Sequence, residues 1–126
     1  MKTKILLVDD EPDVLEILSK KLVGAGFLTV TAFDGIQGLK KTKEEKPDLV
    51  LLDIMMPNKD GFTMLRDLQS DTDLRRIPVI MVSAKSEADY LFECRNLGAA
   101  DYLIKPIDFD ELLKYIKKYT LAEPEV

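Results

Sequence analysis

Asp9, Asp10, Asp53, Ser83 and Lys105 are the residues of this chain whose types and positions could do chemistry together. Each set follows an apolar, strand-like run: Ile5-Leu6-Leu7-Val8, Leu49-Val50-Leu51-Leu52, Val79-Ile80-Met81-Val82 and Tyr102-Leu103-Ile104. Crowded carboxylates repel, so one takes up a proton or a cation enters. Hard oxygen donors, in a chain with no histidine and a single cysteine, favour Mg²⁺ over zinc or copper, with Mn²⁺ as a substitute. Three carboxylates, one Mg²⁺ and one lysine balance to zero charge. A carboxylate attacking phosphorus is sound covalent chemistry when a metal screens the approach of two anions. Asp53 is the best nucleophile, because it stands alone at its strand end before Ile54-Met55-Met56-Pro57. The pair Asp9-Asp10 suits metal binding. Ser83 could hydrogen-bond a phosphoryl oxygen, and Lys105 carries a compact charge on a long stem. With no histidine to phosphorylate, the chain reads as a receiver of phosphate whose donor sits on another protein.

Positioning these residues requires elements that alternate. A second strand-like stretch runs from Leu28 to Phe33. Between the apolar runs lie amphipathic segments. Leu15, Leu18 and Leu22 recur at helical spacing, with Pro12 suited to a first turn and Gly24 and Gly26 to a stop. Asp34 suits the cap of a helix from Gly35 to about Glu45, ended before Pro47. A third helix starts near Gly61 and uses Phe62, Leu65 and Leu68. A fourth opens on the capping-box pattern Ser86-Glu87-Ala88-Asp89 and runs to Gly98. The last spans about Asp108 to Tyr119, with Leu112, Leu113 and Ile116 facing inward. Five strands alternating with five helices imply an α/β protein with an open parallel sheet. Near-continuous Val/Ile/Leu runs suit strands covered on both faces. In such sheets ligands bind at the carboxyl ends of the strands, where strand order reverses. All the polar residues named above lie at those ends.

The chain has 126 residues, 46% hydrophobic and 33% charged, which implies one globular domain. Its boundaries are expected at 1–121, with 122–126 a short tail or linker stub. A net charge of −5 argues against non-specific nucleic-acid binding. Cys94, the single cysteine, allows no internal disulfide and reads as a small buried helix residue. No apolar run reaches membrane-spanning length, and the start Met1-Lys2-Thr3-Lys4, followed directly by a short strand-like run, leads to the expectation of a protein that is not exported. A cytoplasmic protein without membrane insertion is the expectation.

Four segments resemble the receiver domain of two-component response regulators. They are Val8-Asp9-Asp10-Glu11; Leu51-Leu52-Asp53-Ile54-Met55-Met56-Pro57 with Gly61 beyond it; Val82-Ser83-Ala84-Lys85; and Gly98-Ala99-Ala100-Asp101-Tyr102-Leu103-Ile104-Lys105-Pro106. Each is weak alone, and all four in order are highly specific. The resemblance covers Lys4 to about Lys118. It implies a flavodoxin-like, three-layer fold with strand order 2-1-3-4-5. It implies that Asp53 accepts phosphate from a histidine of a sensor kinase or phosphotransfer protein. Asp10 would bind Mg²⁺ directly, Asp9 chiefly through water, and Asp53 and the Met55 backbone carbonyl would complete the ligands. Lys105 would pair with the phosphoryl group, next to a cis Lys105-Pro106 bond. Ser83 would move to the phosphoryl oxygen and Tyr102 would turn inward behind it. That switch reshapes the surface of the fourth helix, fifth strand and fifth helix for a downstream protein or output domain, and is compatible with a phosphorylation-dependent dimer.

Blander roles compete for single residues. Glu11 and Asp13 read as helix-cap acids. Met55, Met56 and Phe62 read as packing, and the lysines of positions 40–46 as a solvated helix face. Two other functions compete with the whole. A Mg²⁺-dependent phosphatase with an aspartyl intermediate commonly carries Asp-x-Asp, whereas Ile54-Met55 follows Asp53. A constitutive binding domain would be expected to have lost acids or the lysine. The chain is therefore expected to be a signalling domain rather than an enzyme, at most catalysing transfer to and hydrolysis from its own Asp53. It would be either a stand-alone regulator or a receiver taken from a longer one.

Overall fold

The computed structural model describes residues 2–56, 58–84 and 88–120, without the side chains of 88–90. The elements alternate strictly: β1 (Lys4–Val8), α1 (Pro12–Gly24), β2 (Leu28–Ala32), α2 (Gly35–Glu45), β3 (Leu49–Asp53), α3 (Gly61–Ser70), β4 (Val79–Ser83), α4 (Ala88–Asn96), β5 (Asp101–Ile104) and α5 (Phe109–Thr120). All strand pairs are parallel, in the order β2-β1-β3-β4-β5. The α/β class, the five-stranded sheet and its order are those expected.

Period-two alternation splits the strand side chains between two cores. Leu6, Val8, Val50, Leu52, Val79 and Met81 point to one face, where Met64, Leu65 and Leu68 of α3 and Cys94 of α4 cover them. Ile5, Leu7, Leu49, Leu51, Ile80 and Val82 point to the other, beneath Leu15 and Leu22 of α1 and Leu112 and Ile116 of α5. Coverage on both faces explains why these strands read as unbroken apolar runs. It also makes β1, β3 and β4 rigid supports for whatever stands at their ends.

Local chemistry sets the helix starts. Pro12 opens α1. Asp34 caps α2 by accepting from the Gln37 N–H at 2.8 Å, and Asp60 caps α3 through the Thr63 N–H at 2.8 Å. Asp108 accepts from the Asp110 and Glu111 N–H groups ahead of α5. Gly26 lies at φ +99° after α1, a left-handed turn that glycine takes without a Cβ clash.

Four expectations need correction or restriction. α4 ends at Asn96 and not at Gly98; Gly98 lies at φ +96° in the turn that follows, where a helix cannot continue. Its expected capping box rests on Ser86 and Glu87, which lie outside the described residues, as does the tail 122–126. Met55 does not pack: its side chain is 57% exposed, because the chain turns out of β3 there, whereas Met56 and Phe62 pack against the first core. Among the described residues, no helix is long and apolar enough to cross a membrane.

Candidate functional site

The change of chain direction between β1 and β3 brings their ends side by side. Val8 pairs with Leu52, so Asp9 and Asp53 emerge from adjacent positions. Asp53 pairs with Val82, and Ser83 with Ile104, so the hydroxyl and the lysine follow along the same edge. One carboxylate oxygen from each of Asp9, Asp10 and Asp53 lies within 4.8 Å of the others. Asp9 and Asp53 are buried while Asp10 is exposed. The sheet thus seats two acids in its floor and leaves the third on the rim.

Lys105 reaches into this cluster from β5. Its Nζ lies 3.1 Å from Asp9 Oδ2 and 3.3 Å from Asp53 Oδ2. Its backbone N–H donates to the Ser83 carbonyl at 2.9 Å, which continues the ladder one step past the strand. The Lys105-Pro106 bond is cis. Ser83 itself is buried beneath the edge. Tyr102 is half-buried and packs against the first core. Five side chains that are scattered through the sequence therefore meet on one edge.

Electrostatics follow from this crowding. Burial first, and then the Asp9 charge, push the Asp53 carboxyl up to about 6; Lys105 pulls against them. For Lys105, burial opposes the charged form, but the hydrogen bond to Asp9 and the charges of Asp53 and Asp9 outweigh it and raise its pKa. Three carboxylates face one ammonium, leaving net negative charge that a divalent cation would offset. The donor set fits Mg²⁺: all oxygens, close enough to share an ion, partly buried, with one acid open to water.

Two further features shape the site. Glu11 was expected to act as a cap, yet as N-cap of α1 its side chain makes no capping hydrogen bond. Its Oε1 instead approaches Lys105 Nζ to 3.5 Å, and its N–H donates to Asp9 Oδ1 at 2.9 Å. The acid run Asp9-Asp10-Glu11 carried the signal, but composition cannot say which way the third acid turns. Gly61 is the second. A Cβ there would stand 2.4 Å from the Asp53 carbonyl oxygen, so α3 begins directly against the backbone of β3. Met55, whose N–H approaches Asp53 Oδ1 at 3.3 Å, leads into this tight return.

Comparison with known proteins agrees with this geometry. A model of the response regulator receiver domain matches residues 5–117. Protein PilH of Pseudomonas aeruginosa is 40% identical over 113 residues, covering 90% of this chain and 93% of PilH. The probable transcriptional regulator ycf27 of Guillardia theta is 40% identical over 111 residues, covering 88% of this chain and 42% of that protein. The receiver domain of sensor histidine kinase PA1611 from Pseudomonas aeruginosa PAO1, solved with magnesium coordinated in its active-site cleft, superposes with a TM-score of 0.87 at 28% identity. It covers 95% of this chain and 98% of that one. The chain spans half or less of the length of several curated relatives. Family match, strand order and the acidic strand-end cluster agree, and the chain belongs to the response regulator receiver domain family of two-component signalling.

Proposed function

We propose that Asp53 accepts a phosphoryl group from a phosphohistidine on a sensor kinase or phosphotransfer protein. Asp9, Asp10, Asp53 and the Met55 carbonyl would hold Mg²⁺. The observation that carries this reading is the buried Asp53 carboxylate, set among two further acids and 3.3 Å from the Lys105 ammonium. Bound there, Mg²⁺ supplies the charge compensation that lets an anionic donor approach an anionic nucleophile.

The protein's own groups divide the remaining work. An Asp53 oxygen attacks phosphorus, the bond from phosphorus to the donor histidine nitrogen breaks, and the electron pair stays on that nitrogen. Lys105 leaves its contact with Asp53 to hold a phosphoryl oxygen. Its second tether, to Asp9, keeps the ammonium in place as it does so. The Ser83 hydroxyl takes another phosphoryl oxygen. Tyr102 and Pro106, on the same strand and loop as Lys105, carry that rearrangement to the surface of α4, β5 and α5. The output is a population shift driven by contacts that exist only with phosphate present.

A groove of about 500 Å³ runs beside Lys105, lined by Val14, Ile17, Leu18, Pro106 and Phe109. Its apolar walls next to the acceptor suit the donor protein. The downstream partner is a protein target or an output domain. The regulators whose length the chain covers only in part, including the DNA-binding response regulator MtrA of Mycolicibacterium smegmatis, support the second form.

The test is incubation with Mg²⁺ and a small acyl phosphate, read by intact mass. One added phosphoryl group, lost in chelator and absent from Asp53→Asn, is the expected result. No gain in a folded, Mg²⁺-loaded wild type would overturn the proposal. Steady turnover of phosphate esters would point instead to a phosphatase.

A further inference from the structure

The loop that follows the acceptor, from Ile54 to Asp60, is tied to an element that carries none of the site residues. Asn58 Nδ2 donates to Asp34 Oδ2 at 3.0 Å. Next to it, the Gly35 N–H donates to the Lys59 carbonyl at 3.1 Å. Asp34 and Gly35 are the cap and first residue of α2. The approach is so close that a Cβ on Gly35 would stand 2.4 Å from that Lys59 oxygen. Asp34 serves both partners at once: Oδ1 caps α2 through Gln37, and Oδ2 holds Asn58.

Two further ties close the loop on itself and on α3. The Gly61 N–H donates to the Ile54 carbonyl at 2.9 Å, and the Lys59 ammonium pairs with Asp67 of α3. Asn58 sits at φ +66°, a left-handed conformation that asparagine tolerates better than most residues. The loop bearing Met55 is thus fastened at its far side, with Asn58 as the side-chain link to α2.

We propose that the Asn58–Asp34 and Lys59–Gly35 bonds form a clamp through which the start of α2 positions the acceptor loop, setting Met55 and Asp53 for metal and phosphate. This rests on the proposed function. Asp34, Gly35 and Asn58 are positioning residues that act through the loop and touch no reactant. The physical reason is that an exposed loop carrying a metal-ligand carbonyl must be held by groups outside the ligand set, and partners of this kind typically tune metal affinity.

The test uses Asn58→Asp, which sets a carboxylate against Asp34 while keeping a side chain that tolerates the left-handed backbone. Asn58→Gly removes the link without that repulsion. In the double swap Asp34→Asn with Asn58→Asp, the amide introduced at 34 caps α2 through its oxygen and donates to the carboxylate introduced at 58. Gln37→Ala is the control; it removes the contact from Gln37 Oε1 to the Phe33 N–H and leaves the clamp intact. Three quantities are read: backbone hydrogen exchange over 54–61 without metal, Mg²⁺ affinity by calorimetry, and the rate of phosphorylation by acyl phosphate.

Both Asn58 variants are expected to exchange faster over that loop and to lose about tenfold in Mg²⁺ affinity, with slower phosphorylation. The double swap recovers all three, and Gln37→Ala stays near wild type. Wild-type exchange and affinity in Asn58→Asp would overturn the clamp. Faster exchange with unchanged affinity and rate would also overturn it, since the bonds would then hold the loop without serving the site. If the wild type itself binds no Mg²⁺, the proposed function fails, and the clamp as a device that sets the site fails with it.

Discussion

Replacing Asp53 by asparagine should make the metal-free protein more stable. Its carboxyl titrates at about 6 in the fold against a reference of 3.8, because burial and the neighbouring Asp9 disfavour its charge more than Lys105 favours it. A gap of about two pH units, at about 1.4 kcal/mol each, is a cost on the order of 3 kcal/mol when Asp53 is ionised in both folded and unfolded chains. The sign follows from proton binding. The folded state holds the Asp53 proton more tightly, so the group's favourable contribution is complete below the unfolded value of 3.8. That contribution is lost as pH rises through about 6. Urea unfolding of wild type and Asp53→Asn in chelator, from about pH 4 to about pH 7.5, measures the difference between them. Carboxylates remote from Asp53 titrate alike in both proteins and cancel. The expected gain is largest near pH 7.5 and fades towards pH 4. A variant less stable than wild type at neutral pH, or a difference that does not change with pH, would refute the reasoning. The first result would mean that Lys105 outweighs burial and repulsion together, the second that it balances them.

Other outcomes follow from single features. Mg²⁺ should raise the thermal midpoint of the wild type, by about 2.7 kcal/mol of stability at a hundredfold excess over its dissociation constant; Asp10→Asn should blunt that response in the same melting assay. Ile116 is fully buried beneath the sheet, so Ile116→Ala should cost about 2–5 kcal/mol in urea unfolding. Cys94 is buried, and burial followed by the Glu93 charge raises its thiol to about 11. It should resist a thiol reagent in the native protein and react at once on unfolding, as followed by absorbance.

Much of this is legible in the sequence, for identifiable reasons. A strand covered on both faces must be apolar throughout, so β1, β3 and β4 announced themselves, and the polar residue after each marked the carboxyl edge. Caps such as Asp34 and breaks such as Pro47 are local chemistry and need no tertiary context. The meeting of Asp9, Asp10, Asp53 and Lys105 followed once the strands were parallel, and the order 2-1-3-4-5 came from family resemblance.

What escaped was direction and distance. Glu11 looks like any first-turn acid until Lys105 appears across the sheet edge. Met55 sits in an apolar run, yet its exposure depends on how sharply the chain leaves β3. Asn58 follows Pro57, a turn signal in its own right, but the partner of its side chain lies 24 residues away. No local pattern encodes such a bond. The same holds for Gly35 and Gly61, which read as helix starts and prove to be points where another segment's backbone passes too close for a Cβ.

The central claim is that strand-end acids and Lys105 turn the Asp53 side chain into a phosphate acceptor. Its most direct test is to phosphorylate the chain with acyl phosphate and Mg²⁺, reduce the product with borohydride, and sequence the resulting peptides. An aspartyl phosphate is converted to homoserine by this treatment. The account predicts homoserine at position 53 and nowhere else. Homoserine at position 9 or 10, or a phosphorylated chain that yields none, would contradict it.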